Sequence, residues 1–151
     1  MPTPSASTAE KPGAKPPSSY DYALIRVVPR VERGEFVNAG TVLFCRTRRF
    51  LRVALALDDA RLLALAPDLD LAAVHHHLEA LVRIADGNPE AGPIAGLPQA
   101  ERFHWIVAPA SAMIQPSPVH SGVCAEPAAA LDRILDELVR QPPVPPNEAR
   151  S

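Results

Sequence analysis

Residues 20–31, YDYALIRVVPRV, set Ala23, Ile25 and Val27 on one side of an extended chain and Tyr22, Leu24, Arg26 and Val28 on the other. A period of two in a segment rich in aromatic and β-branched residues predicts a strand, which Pro29 ends. Residues 37–46, VNAGTVLFCR, predict a second strand that turns apolar on both faces toward its end and is therefore central in its sheet. Gly40 inside it predicts a bulge or a close backbone approach. The polar ERGEF between the two strands contains Gly34, which can take a positive φ. TRR then turns the chain into FLRVALAL, a third strand forming an antiparallel hairpin with the second.

At Asp58 the period changes. Asp58 or Asp59 can cap a short helix through Leu65, which must end near Pro67. Asp70 can cap a longer helix, LAAVHHHLEALVRIADG, with Leu71, Val74, Leu78, Leu81, Val82 and Ala85 on one face and Gly87 at its end. After a Gly/Pro loop, ERFHWIV reads as a strand, with Phe103, Trp105 and Val107 on one side and Arg102, His104 and Ile106 on the other. Glu126-Pro127 opens a last helix whose Leu131, Ile134, Leu135, Leu138 and Val139 keep the helical spacing. The expected fold class is α+β: an antiparallel sheet of about four to five strands packed against about two to three helices on one face.

Composition sets the limits of the folded unit. The chain has 151 residues and 18 prolines, and the prolines crowd its two ends. Residues 1–19 lack a hydrophobic period and residues 142–151, PPVPPNEARS, have polyproline character; both are expected to be disordered. Residues 20–141 are then one domain, large enough for a core without staples. Aromatic residues make up only 5%, so that core is aliphatic. Cys45 and Cys124 form no CxxC pair, and the first residues hold no apolar signal segment. No apolar run approaches the ~20 residues of a spanning helix. A cytoplasmic protein with no membrane contact is expected.

Charge is unevenly spread. Residues 20–56 carry seven Arg against three acids, and residues 57–99 two Arg against seven acids. Arg46, Arg48, Arg49 and Arg52 form a candidate basic surface able to meet phosphates. Without aromatics interleaved for stacking, and without a known RNA-binding signature, nucleic acid is not the favoured partner. An arginine-rich hairpin also protects a sheet edge.

Reactive groups are few. Three adjacent histidines, His75 to His77, point about 100° apart on a helix and do not converge on one metal; His75 stands four residues before Glu79, a spacing suited to a local pair. His104, His120 and Cys124 are a better constellation for zinc or for a Cys–His nucleophile pair, and a helix start after Cys124 would lower its thiol pKa. Their spacing matches no metal motif, and no metal or cofactor is expected. In PSPVHSG, Pro116 and Pro118 stiffen the chain around Ser117, which suits either a ligand loop or a cap that satisfies the sheet's own hydrogen bonds.

Two segments carry a family resemblance. YDYALIRVVPRVERGEFVNAGTVLFC and RFHWIVAPASAMIQPSPVHSGVCAEPAAALDRILDELV resemble the opening and closing parts of the bacterial domain-of-unknown-function 3037 family. The matching motif positions include Tyr22, Arg26, Pro29, Glu35, Asn38, Gly40, Arg102, His104, Gln115, Ser117, His120 and Gly122. The resemblance carries no established activity. It implies an accessory role, with a HipA-like kinase as the partner, rather than an independent enzyme. If the two segments are adjacent strands, Arg26, Glu35, Asn38, Arg102, His104, Ser117 and His120 line one polar pocket. The competing reading is a hydrogen-bonded network that fixes strand register. The leading expectation is a non-enzymatic interaction protein. An enzyme using the His104/His120 pocket comes second, and nucleic-acid binding through the arginine hairpin third.

Overall fold

The computed structural model describes residues 16–109 and 112–140, so the expected tails lie almost wholly outside the described residues. Strand β1 (Ser18–Val27) runs through the middle of a five-stranded antiparallel sheet. On one side it pairs with β2 (Val37–Cys45), which pairs with β3 (Phe50–Leu55). On the other side β1 pairs with β4 (Ile114–Pro116) along one half and β5 (His120–Cys124) along the other. The two family-like segments are therefore adjacent strands.

Gly40 does both things expected of it. The register slips beside it, Ile25 facing Gly40 and Arg26 facing Asn38, so that Ala39 is the extra residue of a bulge. A Cβ on Gly40 would lie 2.5 Å from the Ala54 carbonyl oxygen. The edge strand carries a second irregularity. Ile25 faces Pro116 while Tyr22 faces His120, which leaves one residue too many between β4 and β5.

Ser117 closes that gap. Its N–H donates to the Leu24 carbonyl at 2.8 Å. Its Oγ accepts from the Leu24 N–H at 2.8 Å and donates to the Pro118 carbonyl at 2.9 Å. With prolines on both sides, the hydroxyl replaces a missing backbone acceptor in the ladder. The PSP motif is thus the cap that satisfies the sheet. Ser117→Ala leaves the Leu24 N–H without its partner and is expected to cost about 1–3 kcal/mol in a urea unfolding titration, with Ser117→Thr losing less.

The helices begin and end where their caps dictate. Helix α1 (Asp59–Leu65) starts at Asp58, whose carboxylate accepts from the Arg61 N–H. Helix α2 (Leu71–Asp86) starts at Asp70, which accepts from the Ala73 N–H, and stops at Gly87 with φ 75°. Helix α4 (Pro127–Ile134) continues into one π-turn, Leu135–Val139.

ERFHWIV is not a strand. It belongs to helix α3 (Gln99–Ile106). Ala100, Phe103, Ile106 and Val107 fit a helical spacing as well as Phe103, Trp105 and Val107 fit an alternating one, and seven residues do not separate the two periods. Packing decides. Phe103 and Ile106 are buried, with the Phe103 ring 5.4 Å from that of Phe44, while Trp105 points outward.

Helices also cover both faces of the sheet, not one. Ala23, Ile25, Val27, Val42, Phe44 and Val53 meet Leu62 of α1, Val74 and Leu78 of α2, and Phe103 of α3. On the opposite face Tyr20, Leu43 and Cys45 meet Ala130, Leu131 and Ile134 of α4. Alternation along β2 had to serve both layers, which is why its sequence reads as apolar throughout. Each fully buried Leu or Ile contributes about 1.5–3 kcal/mol by leaving water.

Candidate interaction surface

The residues expected to share a polar pocket are spread over the molecule. Arg26 and Asn38 are cross-strand neighbours. The Arg26 guanidinium lies 4.2 Å over the Phe36 ring, and Asn38 donates from Nδ2 to the Leu138 carbonyl at 3.0 Å, tying β2 to the π-turn. Arg26 Nε and Asn38 Oδ1 are buried with no hydrogen-bond partner among the described residues. Glu35 is exposed and bonded to Arg33 at 2.9 Å, which holds its carboxyl below the usual range. Ser117 is buried in the edge-strand bulge described above.

Arg102 works elsewhere. It donates from Nε to the Leu97 carbonyl at 2.8 Å, and from Nη1 to the Ile84 and Ala85 carbonyls at 3.1 and 2.7 Å. It thereby closes the C-terminal end of α2, where carbonyls lack helical partners and a cation is favoured.

The two histidines do not meet. His104 is exposed on α3, next to Phe103 in the first core layer. His120 stacks on Tyr22 at 5.4 Å, on the face covered by α4. Cys124 packs against that second layer, and burial, reinforced by the nearby Cys45 thiol, pushes its pKa up. The helix start beyond it does not make it a low-pKa thiol. His75 is bonded to Asp59 at 2.9 Å, not to Glu79. Among the described residues no three His, Cys, Asp or Glu side chains gather to hold a metal ion.

The arginines of the hairpin are partly used within the chain. Arg48 donates to Ser18 Oγ, the Ala125 carbonyl and the Pro16 carbonyl, at 3.1, 2.8 and 2.6 Å. Arg46 lies over Phe44 at 5.6 Å and Arg52 over Phe50 at 4.8 Å. Arg49 takes a positive φ of 52° to close the turn, and its carbonyl accepts from Gln99. Three of the four are stacked or bonded to their own chain, which lowers what they offer to a polyanion.

A concave site lies where no pocket was expected. Ile25 of β1, His77 and Leu81 of α2, Trp105 and Ile106 of α3, and Gln115 of β4 surround a cleft of about 280 Å³. Its walls are apolar and aromatic, with an imidazole and an amide at the rim. Trp105, the chain's one tryptophan, is 47% exposed beside it. A half-exposed Trp on a rigid helix is unusual, because the residue loses a large apolar area to water that a partner would cover. Reading ERFHWIV as a strand set Trp105 on the same side as Phe103 and hid the cleft. Had the helical spacing been preferred, Trp105 would have fallen off the Phe103–Ile106 stripe and stood out as exposed. A wider, shallower depression of about 530 Å³, lined by Phe36, Arg61 and Leu65 among others, lies between the first hairpin and α1. Its aromatic wall, Phe36, is also half-exposed, at 44%, but its ring is already covered on one side by the Arg26 guanidinium at 4.2 Å.

No helix among the described residues is long and apolar enough to cross a membrane. No curated protein and no solved structure matches the chain. The family model described as "protein of unknown function (DUF3037)" matches residues 22–139, most of the chain, and the chain belongs to that family.

Proposed function

We propose that this protein acts as an interaction or accessory module that binds a protein partner through the Trp105 cleft. The half-exposed Trp105 on the wall of an apolar cleft carries the reading. Interface energy concentrates in such aromatic anchors seated beside apolar pockets, with polar groups at the rim. The partner implied by the family resemblance is a HipA-like kinase. A single domain in a bacterial cytoplasm is the setting in which this role makes sense. An enzyme built on His104 and His120 has no geometric support, since the two rings belong to opposite layers.

Affinity capture of the tagged full chain from its own host tests the proposal. The wild-type bait is expected to retain a stoichiometric protein of kinase size, and the Trp105→Ala bait to lose most of it. Trp105 is half-exposed and outside the core, so the variant should lose about 1–2 kcal/mol and still fold, which circular dichroism checks. Identical retention by both baits would place binding away from the cleft.

A further inference from the structure

The two edges of the sheet are treated very differently. The β3 edge carries Arg52, with Arg46, Arg48 and Arg49 at the adjoining turn, which discourages another strand from pairing there. On the other edge, residues 112–125 contain no Asp, Glu, Lys or Arg. Its β4 half is protected by Pro116, Pro118 and the Ser117 bulge. The β5 half, HSGVC, has no proline, no bulge and no charge, and among the described residues it pairs only with β1.

Its free hydrogen-bonding groups follow from the ladder. The Leu24 carbonyl points toward the edge strand, and along β1 the other even-numbered residues do the same. Their partners Cys124, Gly122 and His120 are therefore the β5 residues bonded inward. Ser121 and Val123, with Val119 just before the strand, present their N–H and C=O groups outward. On one face of that edge stand Val119 and Val123, 45% and 66% exposed.

We propose that β5 pairs antiparallel with β5 of a second copy of this chain, about a two-fold axis at Ser121, joining the two sheets into one. In that register Val119 lies opposite Val123 of the second copy and Val123 opposite its Val119, while Ser121 meets its own equivalent. All three pairs are of the hydrogen-bonded kind, so each exchanges two backbone bonds. The exposed valines cover one another on one face, as β-branched cross-strand pairs do. On the other face Gly122, over which the Tyr20 ring of its own chain lies, stands opposite His120. A residue on a two-fold axis meets its own charge, and the strand itself carries none; the nearest carboxylate, Asp21 of β1, accepts from Ser121 Oγ at 2.7 Å. The strand's neutrality favours a second copy over a charged peptide as the occupant. One edge strand covers less than the ~800 Å² per partner of a tight complex, so the dissociation constant should be in the micromolar range, about 1–100 µM. The Trp105 cleft, between α2, α3 and β4, adjoins the β4 half of this edge, whereas the dimer is made by the β5 half.

Sedimentation of the full chain from about 1 to about 500 µM tests the proposal over the range of that constant. A monomer–dimer equilibrium is expected, and Val123→Lys should raise the dissociation constant at least about tenfold by placing a desolvated charge against Val119 of the other copy. Circular dichroism should show the variant folded. In a sample mixing isotope-labelled and unlabelled chains, filtered NOE spectra should connect the methyls of Val119 and Val123 between copies, a readout that holds even if Val123→Lys does not fold. A chain monomeric throughout that range, or a dimer without those NOEs, would overturn the proposal.

Discussion

Replacing Gly40 with alanine is expected to destabilise the chain by about 3 kcal/mol, because the added methyl has no room and its nearest neighbour cannot move aside. The new Cβ would stand 2.5 Å from the Ala54 carbonyl oxygen and 2.8 Å from a Leu55 methyl. The first of these is backbone of β3, paired across the hairpin. Relief requires β2 and β3 to separate where both are hydrogen-bonded, just where the Ala39 bulge already bends β2. The loss should appear as a lower urea midpoint with an unchanged slope. Gly96→Ala is the control: nothing lies within 4 Å of its added Cβ, and the change should be neutral or slightly stabilising. Equal effects at the two glycines would show that the close approach at Gly40 is not what holds the hairpin.

Arg102→Met comes next in size, at about 3 kcal/mol. The methionine keeps much of the aliphatic stem but leaves the carbonyls of Ile84, Ala85 and Leu97 without their shared donor. Bonds from a charged donor contribute about 1.5–3 kcal/mol each in favourable cases, and partial exposure of the group discounts their sum. Arg102→Lys should recover less than half of the loss, because a single ammonium cannot span carbonyls on two segments in the way a planar guanidinium does. Hydrogen exchange gives the local signature: faster exchange at the last turn of α2 and in the Gly/Pro loop after it, with the β1–β2 ladder unchanged relative to global stability. Full rescue by lysine would mean that charge alone, not the fork geometry, closes the helix.

Sequence made most of the framework legible for specific reasons. The hairpin strands, the Asp58 and Asp70 caps, the Gly87 stop and the Glu126-Pro127 helix start all rest on local chemistry that acts over a few residues. ERFHWIV failed because its seven residues satisfy two periods, and only the contact between Phe103 and Phe44 selects one. That single misassignment carried further errors with it. It brought Arg102 and His104 to the sheet, where they appeared to join Arg26 and His120, and it set Trp105, the residue on which the functional proposal now rests, on the same side as Phe103. Ser117 was legible only as a choice between ligand loop and sheet cap. The register of β1 against β4 and β5, a relation between residues about a hundred positions apart, decides for the cap.

The central claim, that Trp105 and its cleft receive a protein partner, is tested most directly by fluorine NMR on the full chain carrying 5-fluorotryptophan. The chain has one tryptophan, so the label gives one resonance, free of signals from any partner. Addition of the protein recovered by affinity capture is predicted to shift that resonance and to remove its response to solvent, while a label-independent measurement such as sedimentation confirms complex formation. A complex that forms with the resonance unmoved and still solvent-sensitive would contradict the account.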